Sequence, residues 1–133
     1  MAVQRTAVDP WTWSAALGFS QGVVVSGHAR TLWCSGQTAT DGEGKPQHPD
    51  DVAAQLALAL DNLEAVLGGA GMALADVVRL EVLTTDVDRL LESYGVLAGR
   101  LGAAGVAPAT TMLGVSRLAM PELLVELQAT AVG

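Results

Sequence analysis

Leu123-Leu124-Val125-Glu126-Leu127-Gln128-Ala129-Thr130-Ala131-Val132 alternates with a period of two near the end of the chain. Successive side chains of a strand leave on opposite faces, so Leu124, Glu126, Gln128 and Thr130 share one side. Leu123, Val125, Leu127, Ala129 and Ala131 share the other, and this uniformly apolar set must be covered. We read a strand from about Leu123 to Val132 packed under helices, and the upstream sequence supplies two.

From Asp51 to Leu67, the residues Val52, Leu56, Leu60, Leu63 and Leu67 recur at steps of three and four, the spacing of one helix face. Asp50 is the N-cap candidate and Gly68-Gly69 the stop. A second stripe, Leu90, Tyr94, Leu97 and Leu101, follows the cap candidate Asp86 and ends at Gly102. Between them Asp76 to Thr85 reads as a strand, with Val78, Leu80 and Val82 on one face and Arg79 and Glu81 on the other. Another strand is expected from about Ala109 to Arg117, set off from the last one by a turn at Ala119-Met120-Pro121-Glu122. On it Thr110, Met112, Gly114 and Ser116 face away from Thr111, Leu113, Val115 and Arg117.

Gly22 to Ser26 and Arg30 to Ser35 are β-rich and flank the turn Gly27-His28-Ala29, which predicts a hairpin. With a short extended segment near the N-terminus the order becomes β-β-β-α-β-α-β-β. That is an α+β fold, a mixed sheet with two helices on one face, formed by a single domain spanning residues 1-133. The other sheet face needs a partner, which another copy of the sheet would supply.

Half of the 133 residues are hydrophobic and 16% are charged, an apolar excess that fits burial at a subunit interface. No continuous apolar run reaches the roughly 20 residues of a membrane span. Met1 to Trp13 lacks the apolar core of a secretory signal, so a cytoplasmic location is expected. Cys34 is the only cysteine, which excludes an intrachain disulfide. A net charge of -7 repels a phosphate backbone and argues against a nucleic-acid partner. His28 and His48 have no metal-binding spacing, and neither a metal nor a cofactor is expected.

Several segments carry a family resemblance. Pro108-Ala109-Thr110-Thr111-Met112-Leu113-Gly114-Val115-Ser116-Arg117-Leu118, followed by Leu124 to Ala131, resembles the closing signature of the Rid (RidA/YjgF) family. Ser35-Gly36-Gln37 and Phe19-Ser20-Gln21-Gly22 resemble two earlier family segments. Gln55…Leu60-Asp61-Asn62-Leu63, with Ala70-Gly71…Asp76-Val77-Val78 after it, and Thr84-Thr85-Asp86 complete the set in the same order. The resemblance implies a chorismate-mutase-like protomer assembled as a homotrimer around a central barrel, with small-molecule clefts between subunits.

It also implies roles. Glu126 stands where the family keeps a glutamate that positions the hydrolytic water, and Ser35 and Gly36 fall at a substrate-binding loop. Thr110 replaces the arginine that grips the substrate carboxylate in deaminating members. Phe19 stands for a tyrosine, Met112 for a cysteine, and Tyr94 falls near a position often held by asparagine. Arg117 lies seven residues beyond Thr110, an odd step that points it to the opposite strand face. An arginine from a neighbouring copy remains an open alternative.

Each residue also has a plainer reading. Glu126 suits a solvated or interface position, Tyr94 suits core packing, Thr110 is a good strand former, and Cys34 suits a buried small hydrophobe. Trp11, Trp13 and Trp33 suit packing, a pocket wall or a subunit contact. Three functions are in play: small-metabolite binding without 2-aminoacrylate deaminase activity, an enamine/imine deaminase of altered scope that uses Glu126 and a water, and an endoribonuclease or translation inhibitor, against which the acidity counts.

Overall fold

The computed structural model describes residues 2–133. It contains β1 (Gln4–Val8), β2 (Gly22–Ser26), β3 (Thr31–Trp33), β4 (Gln37–Thr38), α1 (Val52–Gly69), β5 (Val77–Thr84), α2 (Val87–Glu92), α3 (Tyr94–Ala103), β6 (Ala109–Gly114) and β7 (Val125–Val132). The main sheet runs β3-β7-β5-β6, with β4 also paired to β7. Among the strands named here β5 and β6 alone pair in parallel, which makes the sheet mixed. The α+β class and the helix-covered mixed sheet agree with the sequence reading.

The central strand β7 follows the period-two pattern. Val125, Leu127, Ala129 and Ala131 are buried, while Glu126, Gln128 and Thr130 are half-exposed. Leu56, Leu60, Leu63 and Leu67 of α1 lie over the apolar side together with Leu80 and Val82 of β5, all essentially inaccessible to water. Burying one such side chain contributes about 1.5–3 kcal/mol. The 18 residues of α1 are long and apolar enough to cross a membrane, but in this fold its leucines form the core of the sheet–helix layer.

Several sequence expectations are corrected. The Gly22–Ser26 and Arg30–Ser35 segments do not pair as a hairpin: β2 pairs with β1, and β3 pairs with β7. Gly27 takes a positive φ of 73°, and a Cβ there would lie 2.8 Å from the Ala2 carbonyl oxygen, so the turn packs against the N-terminal strand. Asp51 rather than Asp50 caps α1, accepting a 3.0 Å hydrogen bond from the Ala54 N–H, while Asp50 sits at φ 65° and pairs with Arg89. The helix runs through Gly69, and the left-handed turn falls at Gly71.

The second helical stripe is interrupted at Ser93, whose φ of -103° and ψ of 8° fall in the bridge region and separate α2 from α3. Leu90, Leu97 and Leu101 still reach the core across the break. Asp86 caps α2 as expected, accepting from the Arg89 N–H at 3.1 Å. The strand β6 stops at Gly114 and β7 starts at Val125, leaving Arg117 outside any strand, and β4 was not anticipated. A register shift between Val77 and Arg79 lets Val77 and Leu80 both reach the core despite their odd separation.

Loss of the α1 cap is a direct test of the revised boundary. Asp51→Ala is expected to lower stability by about 1 kcal/mol in urea unfolding, and Asp50→Ala by less.

Candidate functional site

The expected site residues fall into two groups. Phe19, Tyr94, Thr110 and Met112 line one hollow of about 260 Å³, completed by Trp13, Leu17 and Leu91. The hollow forms because β6 is an edge strand whose Thr110 and Met112 align with Leu80 and Val82 on the helix-covered face. Tyr94 opens α3 beside it, and the 3-10 turn Trp13–Leu17 closes it from the N-terminal side.

The aromatic wall is ordered by specific contacts. Trp13 and Phe19 meet edge to face with ring centroids 5.7 Å apart. The Tyr94 hydroxyl donates a 2.7 Å hydrogen bond to the Leu17 carbonyl, and burial pushes its phenol above the usual range. Thr110 Oγ1 donates to the Pro108 carbonyl at 2.9 Å. Thus Tyr94 belongs to this wall as well as to the apolar helix stripe, a dual position that its spacing alone did not reveal.

The second group lies on the other side of the sheet. Glu126 aligns with Leu83, and a Cβ added to Gly36 would sit 2.5 Å from the Glu126 carboxyl carbon and 2.8 Å from each carboxyl oxygen. Glycine leaves room for the Glu126 carboxylate in this position against the β3–β4 connection, and a Cβ would push that side-chain end aside. Ser35, the preceding residue, is exposed and lends its carbonyl to the Gln37 side chain at 3.4 Å. The structure therefore brings Gly36 and Glu126 together and the four hollow residues together, but sets the two groups on opposite faces.

Gly36→Ala is expected to push the Glu126 carboxylate aside at a cost under about 1 kcal/mol, because the contact is with the movable end of a half-exposed side chain. Denaturant unfolding of the variant checks this, and a loss well above about 1 kcal/mol would mean that the carboxylate is held rigidly against the glycine.

Sequence reading offered Trp13 only as one of several uses of the tryptophans, and it missed Leu17 and Leu91 as lining residues. Trp13 and Leu17 lie in a 3-10 turn and Leu91 and Tyr94 straddle the break at Ser93, so no regular α-helical spacing marked either pair in the sequence. Trp33 is 77% exposed on the open sheet face beside Arg79, Glu81, Gln128 and Thr130. Arg79 reaches Thr111 Oγ1 at 2.8 Å on that face. Arg117 is exposed, and its Nε donates to the Leu118 carbonyl. Cys34 is buried, which pushes its thiol up. Among the described residues no His, Cys, Asp and Glu cluster is able to hold a metal.

A profile of the family described as Endoribonuclease L-PSP matches residues 12–133. The chain belongs to this family. It is similar to the Rid-family protein YyfB of Yersinia pestis, at 36% identity and a TM-score of 0.83 over 96% of this chain and 98% of that one. It also resembles Rv2704 of Mycobacterium tuberculosis, a YjgF/YER057c/UK114 protein, at 36% identity and a TM-score of 0.66 over 98% and 100%. TdcF of E. coli, solved with bound serine, matches at 26% identity and a TM-score of 0.71 over 86% and 87%. Membership in the Rid/YjgF family agrees with the signature segments read from the sequence.

Proposed function

We propose that this Rid-family chain binds a small metabolite in clefts between copies of itself, as a homotrimer, and hydrolyses 2-aminoacrylate-type enamines slowly or not at all. The hollow at Thr110 carries this reading. Among the described residues, none of the chain's seven Lys and Arg residues lines it. Hydrogen bonds to charged groups are worth roughly 1.5–3 kcal/mol, and a bidentate guanidinium–carboxylate fork adds geometric fit. Thr110 offers one neutral hydroxyl instead, so carboxylate binding weakens by roughly ten- to a hundredfold.

The bound serine of TdcF supports a small-molecule ligand for this fold. The opposite placement of the Thr110 hollow and the Gly36–Glu126 pair supports a cleft shared between copies, since one chain cannot turn both toward the same ligand. Exposed Trp33 and Leu113 on the open sheet face supply apolar area for such contacts. Light scattering is expected to give three times the 13.6 kDa chain mass, and a monomer would contradict the shared cleft.

A second reading, an enamine or imine hydrolase of altered scope, is favoured by the fit of Gly36 around the Glu126 carboxylate. There Glu126 would hold and deprotonate a water for attack on an imine carbon. Glu126→Gln should then abolish whatever hydrolysis the wild type performs. Endoribonuclease activity is disfavoured by the charge of -7, since RNA binding draws on cationic contacts.

A further inference from the structure

We propose that the Thr110 hollow selects a ligand with an amine-type, hydrogen-bond-donating head and turns away a carboxylate. This rests on the hollow being the ligand site, as proposed above, and adds the chemical class of what enters it.

A hydroxyl carries a single proton, and both hydroxyls in the wall have already committed theirs. Thr110 Oγ1 donates to the Pro108 carbonyl at 2.9 Å, and the Tyr94 hydroxyl donates to the Leu17 carbonyl at 2.7 Å. Carbonyl oxygens cannot donate in return, so each hydroxyl oxygen has lone pairs alone to offer a ligand. Burial holds the Tyr94 phenol in its protonated form, which keeps its bond to Leu17 in place. A carboxylate brought to these oxygens meets acceptors, whereas an N–H group meets partners.

The rings act in the same direction. Trp13, Phe19 and Tyr94 all line the hollow, and an aromatic face attracts a cation through its quadrupole. Edge-to-face contact between Trp13 and Phe19 covers one face of one ring and leaves the faces of the other free of the pair. The remaining side-chain donor in the wall is the Trp13 indole N–H, a single neutral group that cannot balance a carboxylate charge. At longer range the net charge of -7 favours approach of a cation over an anion. The hollow's ≈ 260 Å³ accommodates such a head with a small apolar body among Leu17, Leu91 and Met112.

Three probes that share one ring separate the possibilities: benzylamine, cationic at neutral pH, benzyl alcohol and benzoate. Each is titrated into the wild-type protein by calorimetry at low salt. The proposal expects benzylamine to bind at least about tenfold more tightly than benzoate, with benzyl alcohol between them. Thr110→Val keeps the side-chain shape and removes the acceptor, and is expected to weaken benzylamine roughly tenfold without weakening benzoate. If that variant does not fold, Trp13→Leu, on an exposed ring, is expected to give a comparable loss. Benzyl alcohol binding as tightly as benzylamine would overturn the amine preference and leave the uncharged-ligand reading of the hollow standing. Benzoate binding most tightly would overturn both, and saturation by none of the probes would overturn the inference while the deaminase assay still tests the proposed function.

Discussion

Gln55→Leu is expected to lower the unfolding free energy by about 3 kcal/mol, the largest stability effect anticipated for a single polar residue of this chain. Gln55 lies on α1 and is fully buried. The two Nε2 protons are shared among the carbonyls of Glu122 at 2.8 Å, His48 at 3.2 Å and Gln47 at 3.3 Å, and its Oε1 accepts from the Leu124 N–H at 2.8 Å. One amide thus ties the loop before α1 to the segment that leads into β7. Leucine has similar bulk but would leave the Leu124 N–H and the Glu122 and Gln47 carbonyls without this partner, while the His48 carbonyl keeps the Asp51 N–H, and each buried orphan costs about 1–3 kcal/mol. Urea unfolding measures the effect, and a loss under about 0.5 kcal/mol would mean that water replaces the amide. Because the tether sits two residues before Glu126, the variant is also expected to loosen the position of that carboxylate.

The fold was readable wherever a period was strict. Leu56, Leu60, Leu63 and Leu67 marked α1, and the alternation from Val125 to Ala131 marked β7 and its buried side, because burial imposes those spacings directly. Partner choice was not readable. The β2 and β3 segments look like two arms of a hairpin, yet β2 takes Gln4–Val8 and β3 takes the far end of β7, which local sequence does not encode. The cap at Asp51 in place of Asp50 turned on a one-residue boundary that two adjacent aspartates leave ambiguous.

The candidate site was legible in part. Parity correctly set Glu126 on the more polar face, and grouped Thr110 with Met112. It did not relate the two strands to each other. That needs the register through β5, where Leu80 aligns with Thr110 while Leu83 aligns with Glu126, and the odd interval between them puts the two residues on opposite faces. Arg117 was set aside on strand parity, whereas the structure shows β6 ending at Gly114 before reaching it.

Thr110→Arg is expected to raise kcat/KM for amino-acid-derived imines by roughly ten- to a hundredfold over the wild type. The position lies half-buried on an edge strand and lines the hollow, so the stem of a long side chain has Met112, Phe19 and Leu91 to lie against. The cost is the Thr110–Pro108 hydrogen bond, about 1 kcal/mol. The gain is a fixed cation in a wall that otherwise presents rings and hydroxyl lone pairs. The same substitution should reverse the ligand preference, since a guanidinium repels an amine and pairs with a carboxylate.

Whether Thr110 leaves this Rid-family site without a carboxylate anchor is decided by 2-aminoacrylate hydrolysis with purified wild type and Thr110→Arg side by side. The wild-type rate is expected to lie close to the uncatalysed one, with a clear rise in the variant. Rapid hydrolysis by the wild type, with no gain from the arginine, would contradict that expectation.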